Sequence, residues 1–330
     1  MVQDFAAGRM GRRSMITAAG ALAAPLSRAQ GIWPERPVTL VCCFPPGGST
    51  DTSARLVAPG MAEILGKPVV VENRAGAGGN IGIGYVARAA ADGYTLLCAS
   101  SVFVVNASLY RNAPYDPYRD FAPVGTLGAS PNLICVRADS GITSLAQLIA
   151  LAKAQPERFN YASPGIGTTP HLAGEVLKLR TGIQMQHIPF LGAGPAVQAI
   201  LAGTVEVLVA SQGGSVEAAR ASGRTLALAQ TGATRSPDLP DVPTLGEARH
   251  PRRGVGDLQR ALCAGRDAGA GRRAPGVRGT GGAGAARCRA ALPRGGCSGG
   301  AGGRGGTEGA GGAGSPLWRE VIRQAKIAVE

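Results

Sequence analysis

The sequence predicts an α/β protein made of two sheet units that face each other across a cleft. Three observations lead there. Short apolar, β-branched runs alternate with stretches of helical period, as in strands connected through crossover helices. Three strand ends run into a glycine-rich loop that opens a helix: Phe44–Asp51, Ser163–Pro170 and Phe190–Pro195. Beyond the N-terminal stretch, no segment is long and apolar enough to span a bilayer. Open α/β sheets bind ligands at the C-terminal ends of their strands, where these loops lie.

Taken in order, Val38–Val41 reads as a buried strand, followed by a helix to about Leu65 that Pro59-Gly60 should kink or interrupt. Val69–Val71 is a second strand. A glycine-rich turn, Asn73–Asn80, leads to a helix over Ile81–Ala90, and Tyr94–Ala99 is a third strand. The second unit has a strand at Leu133–Arg137, a helix at Leu145–Ala154 with Ser144 near its cap, and a strand at Phe159–Ala162. A helix follows at His171–Leu179, with Leu172, Val176 and Leu179 on one face. Gln186–Pro189, Val205–Ala210 and Leu226–Gln230 are further strands, with a helix opening near Pro195 between the first two. The alternation argues for a parallel sheet covered on both faces.

The loop Phe44–Asp51 has the parts of an anion cradle. Pro45 and Pro46 stiffen its start. Gly47 and Gly48 let the backbone approach a ligand, and Ser49, Thr50 and Asp51 are all good helix N-caps. Asp51 is expected mainly as the cap, so that Gly48, Ser49 and Thr50 offer N–H groups to a negative ligand.

The N-terminus reads as an export signal. Arg9, Arg12 and Arg13 precede an apolar Met15–Leu26, and Ser27-Arg28-Ala29 supplies small residues for cleavage after Ala29. The net charge of +13 would suggest nucleic acid. It is concentrated between Arg249 and Ser315, where twelve arginines stand against three acids, so the rest of the chain is only mildly basic. The seven cysteines show no zinc spacing, and Cys42, Cys43, Cys98 and Cys135 read as small buried apolar residues.

Other constellations carry less. Gly82-Ile83-Gly84-Tyr85-Val86-Ala87 fits a dinucleotide fingerprint but falls inside a helix, with no acid at the end of the next strand. Ser49 or Ser163, His171 and Asp51 could be assembled into a hydrolase triad, but no G-x-S-x-G elbow exists. Ser100, Ser101, Asn106, Ser211 and Gln212 follow strands, where ligand contact and a turn role are equally open.

Four stretches in register carry a resemblance: Phe44–Asp51 (Phe-Pro-Pro-Gly-Gly-Ser-Thr-Asp), Val71–Gly79 (Val-Glu-Asn-Arg-Ala-Gly-Ala-Gly-Gly), Tyr115–Pro123 and Arg235–Thr244. From about Trp33 to Ala248 the chain resembles the Bug family, the periplasmic solute-binding receptors of tripartite tricarboxylate transporters. The resemblance implies a type II periplasmic-binding-protein-like α/β fold with two domains and a ligand cleft between them. Residues 1–29 would be the signal peptide, 30–130 the first part of domain 1, 131–233 domain 2, and 234–330 the return to domain 1. It also implies a non-enzymatic receptor in the periplasm, without cofactor, catalytic residue or metal. The receptor would capture a small organic acid and hand it to the membrane components of a transporter. A monomer is expected, with no role for nucleic acid. The ligand carboxylate would be held by backbone groups and ordered waters, so the ligand-binding residues are expected among Phe44, Gly47, Gly48, Ser49, Thr50 and Asp51 of one loop, Ser163, Gly165, Gly167, Thr168 and Thr169 of the other, and Ser101. The rival is an α/β enzyme acting on a small carboxylate or ester.

The family pattern stops after Ala248 and resumes near Pro316, where Trp318, Val321, Ile322 and Ala325 have helical spacing. Between them lie 22 Gly, 13 Ala and 12 Arg, and no aromatic residue, Ile or Lys. Those abundant residues have codons that can begin with two G or C bases, as in a GC-rich gene read out of frame. Residues 249–315 are therefore expected to be a translated frameshift, too poor in large apolar side chains to fold.

Overall fold

The computed structural model describes residues 33–156, 158–248, 322–324 and 327, together with the backbone of 256–264. The expected signal peptide and most of the expected frameshifted stretch lie outside these residues.

The first sheet is ordered β2-β1-β3-β9-β4, from strands Val38–Cys42 (β1), Val69–Asn73 (β2), Thr95–Ala99 (β3), Phe121–Arg137 (β4) and Gly256–Ala264 (β9). β1 runs parallel to β2 and β3, whereas β9 runs antiparallel to both β3 and the first half of β4. The second sheet takes the other half of β4, flanked antiparallel by Val207–Ser211 (β7) and Thr225–Gln230 (β8). Beyond β7 lie Asn160–Ser163 (β5) and Gln186–Pro189 (β6), both parallel. Both sheets are thus mixed, not wholly parallel. The reason is β4, a 17-residue strand shared by both sheets, of which only Leu133–Arg137 is apolar enough to be read from sequence. Residues 256–264, expected to be unstructured, form β9 instead.

The helices are α1 (Ser49–Leu65), α2 (Asn80–Ala87), α3 (Val102–Leu109), α4 (Leu145–Ala154), α5 (Thr169–Thr181), α6 (Ala193–Ala202) and α7 (Gly214–Ala221). Contrary to expectation, α1 runs through Pro59 as one helix. Pro59 sits on the exposed face, while Ala54, Ala58 and Met61 are buried against the first sheet, so the missing backbone bond opens toward water. Gly66 then closes it in the left-handed region, φ 63°.

Each sheet is buried on both faces. Leu40, Leu96 and Cys98 face α1, while Val41, Leu97 and Ala99 face α2 and the ring cluster Phe103, Tyr115 and Phe121. In the second sheet Ile134, Val136 and Tyr161 pack beneath α4 and α5, and Leu133, Cys135 and Ala162 beneath α6 and α7. Leu239 and Val242 pack on the α6 side and Leu245 and Ala248 on the other, so the chain stays on this sheet past residue 234, where the return was expected. Cys42, Cys43, Cys98 and Cys135 are buried and outside any disulfide, and burial pushes the thiols of Cys42 and Cys135 up to about 12.

Candidate functional site

The strand-to-helix loops of the two sheets meet head to head. In the first, β1 ends and α1 begins at Ser49, with Gly48 as N-cap and no side chain capping it. Asp51 is therefore not the N-cap. It is the third helical residue, and its carboxylate turns back to accept the Gly47 N–H at 3.0 Å. The same carboxylate takes Arg55 Nε at 3.0 Å and Asn73 Nδ2 at 2.8 Å, while Asn73 also holds the Phe44 carbonyl at 2.9 Å. Burial opposes ionisation of Asp51, but these donors outweigh it and hold the carboxyl below its usual range. The charge stays behind the loop and stiffens it.

In the second loop, between β5 and α5, the N-cap Thr168 Oγ1 accepts the His171 N–H at 3.4 Å and donates to the Gly165 carbonyl at 2.7 Å. Behind it, His171 Nδ1 accepts the Gly167 N–H at 3.1 Å. The His171 ring stacks on His187 with centroids 3.9 Å apart, and His187 Nε2 lies 2.7 Å from Ser163 Oγ. A third loop, between β6 and α6, ends in the N-cap Gly192, again with no side chain capping the helix. Gly192 has φ 112°, and a Cβ there would meet Pro45 Cγ at 2.9 Å, so only glycine lets this loop close on the first. α7 also docks there: its Ser215 donates both N–H and hydroxyl to the Gly47 carbonyl, at 3.1 and 3.0 Å.

Between these loops is a small cavity of about 40 Å³. From the first loop it is lined by Phe44, Pro45, Gly48, Ser49 and Thr50, and from the second by Pro164, Thr168, Thr169 and Pro170. Gly192 and Ala193 close the third side, with Ser100 and Ser211 at the strand ends. No charged side chain is among its described lining. Instead the first residues of α1, α5 and α6 all line it, and the first turn of a helix carries N–H groups without intrahelical partners at the positive end of its dipole.

Of the residues expected from sequence, Phe44, Gly48, Ser49, Thr50, Thr168 and Thr169 line this cavity. Gly47, Asp51, Ser163 and Gly167 hold the loops from behind. Ser101 lies at the start of α3 and does not line the cavity, although its neighbour Ser100 does. Gly165 faces an adjoining space. The sequence reading lacked Gly192, Ala193 and Asn132. The first two were legible as a third glycine-rich helix start. Asn132 gave no sign, lying in the unread half of β4. It is fully buried where the chain passes between the sheets, and its Oδ1 accepts Ser211 Oγ at 2.8 Å and Thr169 Oγ1 at 3.4 Å.

The chain matches the family model for the tripartite tricarboxylate transporter family receptor over residues 53–255. The chain belongs to this receptor family. It is 41% identical over 236 residues to Protein BugT of Bordetella pertussis, covering 71% of this chain and 72% of that one. Among solved structures, it resembles Rpa4515 of R. palustris with adipate at TM-score 0.79 and 29% identity, covering 90% of this chain and 99% of that one. It also resembles MatC of Rhodopseudomonas palustris with bound malate, at TM-score 0.71 and 26% identity, covering 88% and 100%.

The family is one of periplasmic solute-binding receptors rather than enzymes, and the receptor's geometry accounts for the residues that suggested other chemistry. Gly82 packs α2 onto the β1 end, where a Cβ would come within 2.7 Å of the Arg74 carbonyl, and Gly84 packs against Pro114. Ser163 and His187 are hydrogen-bonded, but Ser163 is fully buried and braces Gly165. Asp51 faces Arg55 rather than either histidine.

Proposed function

We propose that the receptor holds one carboxylate of a small organic acid in the cavity between the first turns of α1, α5 and α6. The observation that carries this reading is the convergence of three helix starts on one cavity with no charged side chain among its described lining. Separate dipoles then favour a negative group without a counter-ion. The cavity matches a carboxylate group or a few waters in size. Adipate and malate, present in two solved relatives, carry such groups. Two α/β domains would close over the acid, meeting where β4 crosses near Asn132, and the loaded monomer would pass it to the membrane components of the transporter.

Gly48→Val tests the cavity. A Cβ at Gly48 stays 3.9 Å from any heavy atom, so the backbone tolerates a side chain, but the added methyls fill the space in front of α1. Isothermal titration against a panel of carboxylates should show binding by the parent and at least a tenfold loss in the variant, about 1.4 kcal/mol. Unchanged affinity at an unchanged melting temperature would place the acid elsewhere.

Export is part of the same proposal. Cleavage after Ala29 would leave Gln30 as the first residue of periplasmic protein, and N-terminal sequencing of that fraction reads it directly; an intact Met1 there refutes it.

A further inference from the structure

The cavity opens beside a second, larger space, and the two share Phe44, Pro45, Pro164 and Gly192 as walls. This outer chamber measures about 260 Å³, several times the inner one. We propose that the acid is an amphipathic monocarboxylate: its single carboxylate enters the inner cavity and an apolar body, aromatic or aliphatic, fills the chamber. This rests on the carboxylate reading above and narrows it.

The walls carry the argument. The larger side chains facing the chamber are Phe44, Tyr110, Ile166, Phe190 and Leu191, and no Lys, Arg or His is among its described lining. The only polar side-chain group on that lining is the Tyr110 hydroxyl, whose burial pushes its pKa up, so it remains a neutral phenol. Part of the backbone on this wall is no donor either, which leaves N–H groups mainly along Ala75–Gly78 and at Ile166 and Leu191. Pro45, Pro164 and Pro189 have no N–H. The N–H groups of Gly79, Asn80, Gly165, Phe190 and Gly192 already donate to Gly76, Ala77, Ser163 Oγ, Ser163 and Pro164. Arg74, the cation next to the lining residues in sequence, is turned away onto the Tyr85 ring, 3.7 Å from its centroid, and paired with Glu72 at 2.6 Å. A second carboxylate placed here would lose water and find no cation, whereas apolar surface would gain by leaving water.

The test is isothermal titration of the mature receptor with benzoate, phenylacetate and hexanoate on one side and malate, adipate and citrate on the other. At least one monocarboxylate should bind about tenfold or more tighter than every di- and tricarboxylate. If a di- or tricarboxylate binds tightest, the monocarboxylate assignment is overturned while the receptor reading stands. If folded protein binds none of the six, both fall. Leu191→Arg adds an independent readout. Leu191 is 82% exposed, so a cation can be set at the chamber rim without disturbing the core. The variant should narrow the gap between the best monocarboxylate and adipate, and an unchanged gap would show that the body of the ligand lies outside the chamber.

Discussion

Asp51 shows how one side chain can shape a loop without facing the cavity that the loop lines. Its carboxylate ties the Gly47 N–H, Arg55 and Asn73 together, and Asn73 in turn fixes the Phe44 carbonyl. Asp51→Ala should cost about 1–3 kcal/mol of stability, the range for leaving buried hydrogen-bond partners unmatched. Asp51→Asn should recover part of it, since an amide oxygen still accepts the Gly47 N–H. Urea denaturation measures both, and an alanine variant as stable as the parent would show that the loop is held by other means. The sequence marked Asp51 as a loop residue because Ser, Thr and Asp cluster there, but it could not rank three adjacent capping candidates. The choice fell to Gly48 because Asn73 and Arg55, distant or a turn away, draw the Asp51 carboxylate behind the helix start. Asn132 was invisible for a related reason: its partners Thr169 and Ser211 come together only when the second sheet forms.

At the level of elements, the β5–α5 loop rests on two stacked imidazoles. Both must be neutral in the fold, since His171 Nδ1 accepts a hydrogen bond and the rings lie face to face. Burial pushes His171 down to about 4, and burial together with the neighbouring His171 pushes His187 down to about 3. Glu175, which bonds the Tyr161 hydroxyl at 2.6 Å and Lys178 at 2.9 Å, opposes the shift at His171, while Lys178 adds to it. In the unfolded chain both histidines return to about 6.5. The unfolded state therefore takes up protons first, so the stability from neutral histidine is intact above about pH 6.5 and declines as pH falls toward 4. Melting temperatures should be nearly level from pH 8 to 7 and fall steadily from 6.5 to 4.5, with a shallower fall in His187→Phe, which keeps a ring to stack. Identical slopes in parent and variant would remove the pair from the account. Most helices and short strands were legible at this scale, because their apolar residues keep one period: Leu145–Ala154 was read with its observed ends. The long β4 was not. Its first half, from Phe121 to Pro131, has Gly125, Gly128 and two prolines, and becomes a strand only by pairing with β9, more than a hundred residues on.

For the whole molecule, the two-unit architecture was readable from the repeated loops, while the mixed direction of the sheets depended on β4 and β9. The stretch 249–315 bears on both. The family match ends at residue 255, a few residues into it, and apart from β9 the stretch lies outside the described residues. Resequencing the gene should reveal two compensating single-base differences flanking the segment. The restored frame should extend the family match across it, and purified protein made from that frame should melt at a higher temperature. An unaltered gene sequence would establish the glycine- and arginine-rich segment as genuine.

A hold on an anion by helix ends rather than by a lysine or arginine, as proposed above, would have a consequence for unloading. A point charge travels with its side chain and can follow a departing ligand. Backbone dipoles cannot: those of α1 belong to one sheet and those of α5 and α6 to the other, and they aim at a common point only while the loops touch. Separation by a few ångströms would misdirect all three grips together, since N–H···O attraction falls steeply with distance and angle. Cargo could then be surrendered by movement alone, needing neither a proton nor a competing ion.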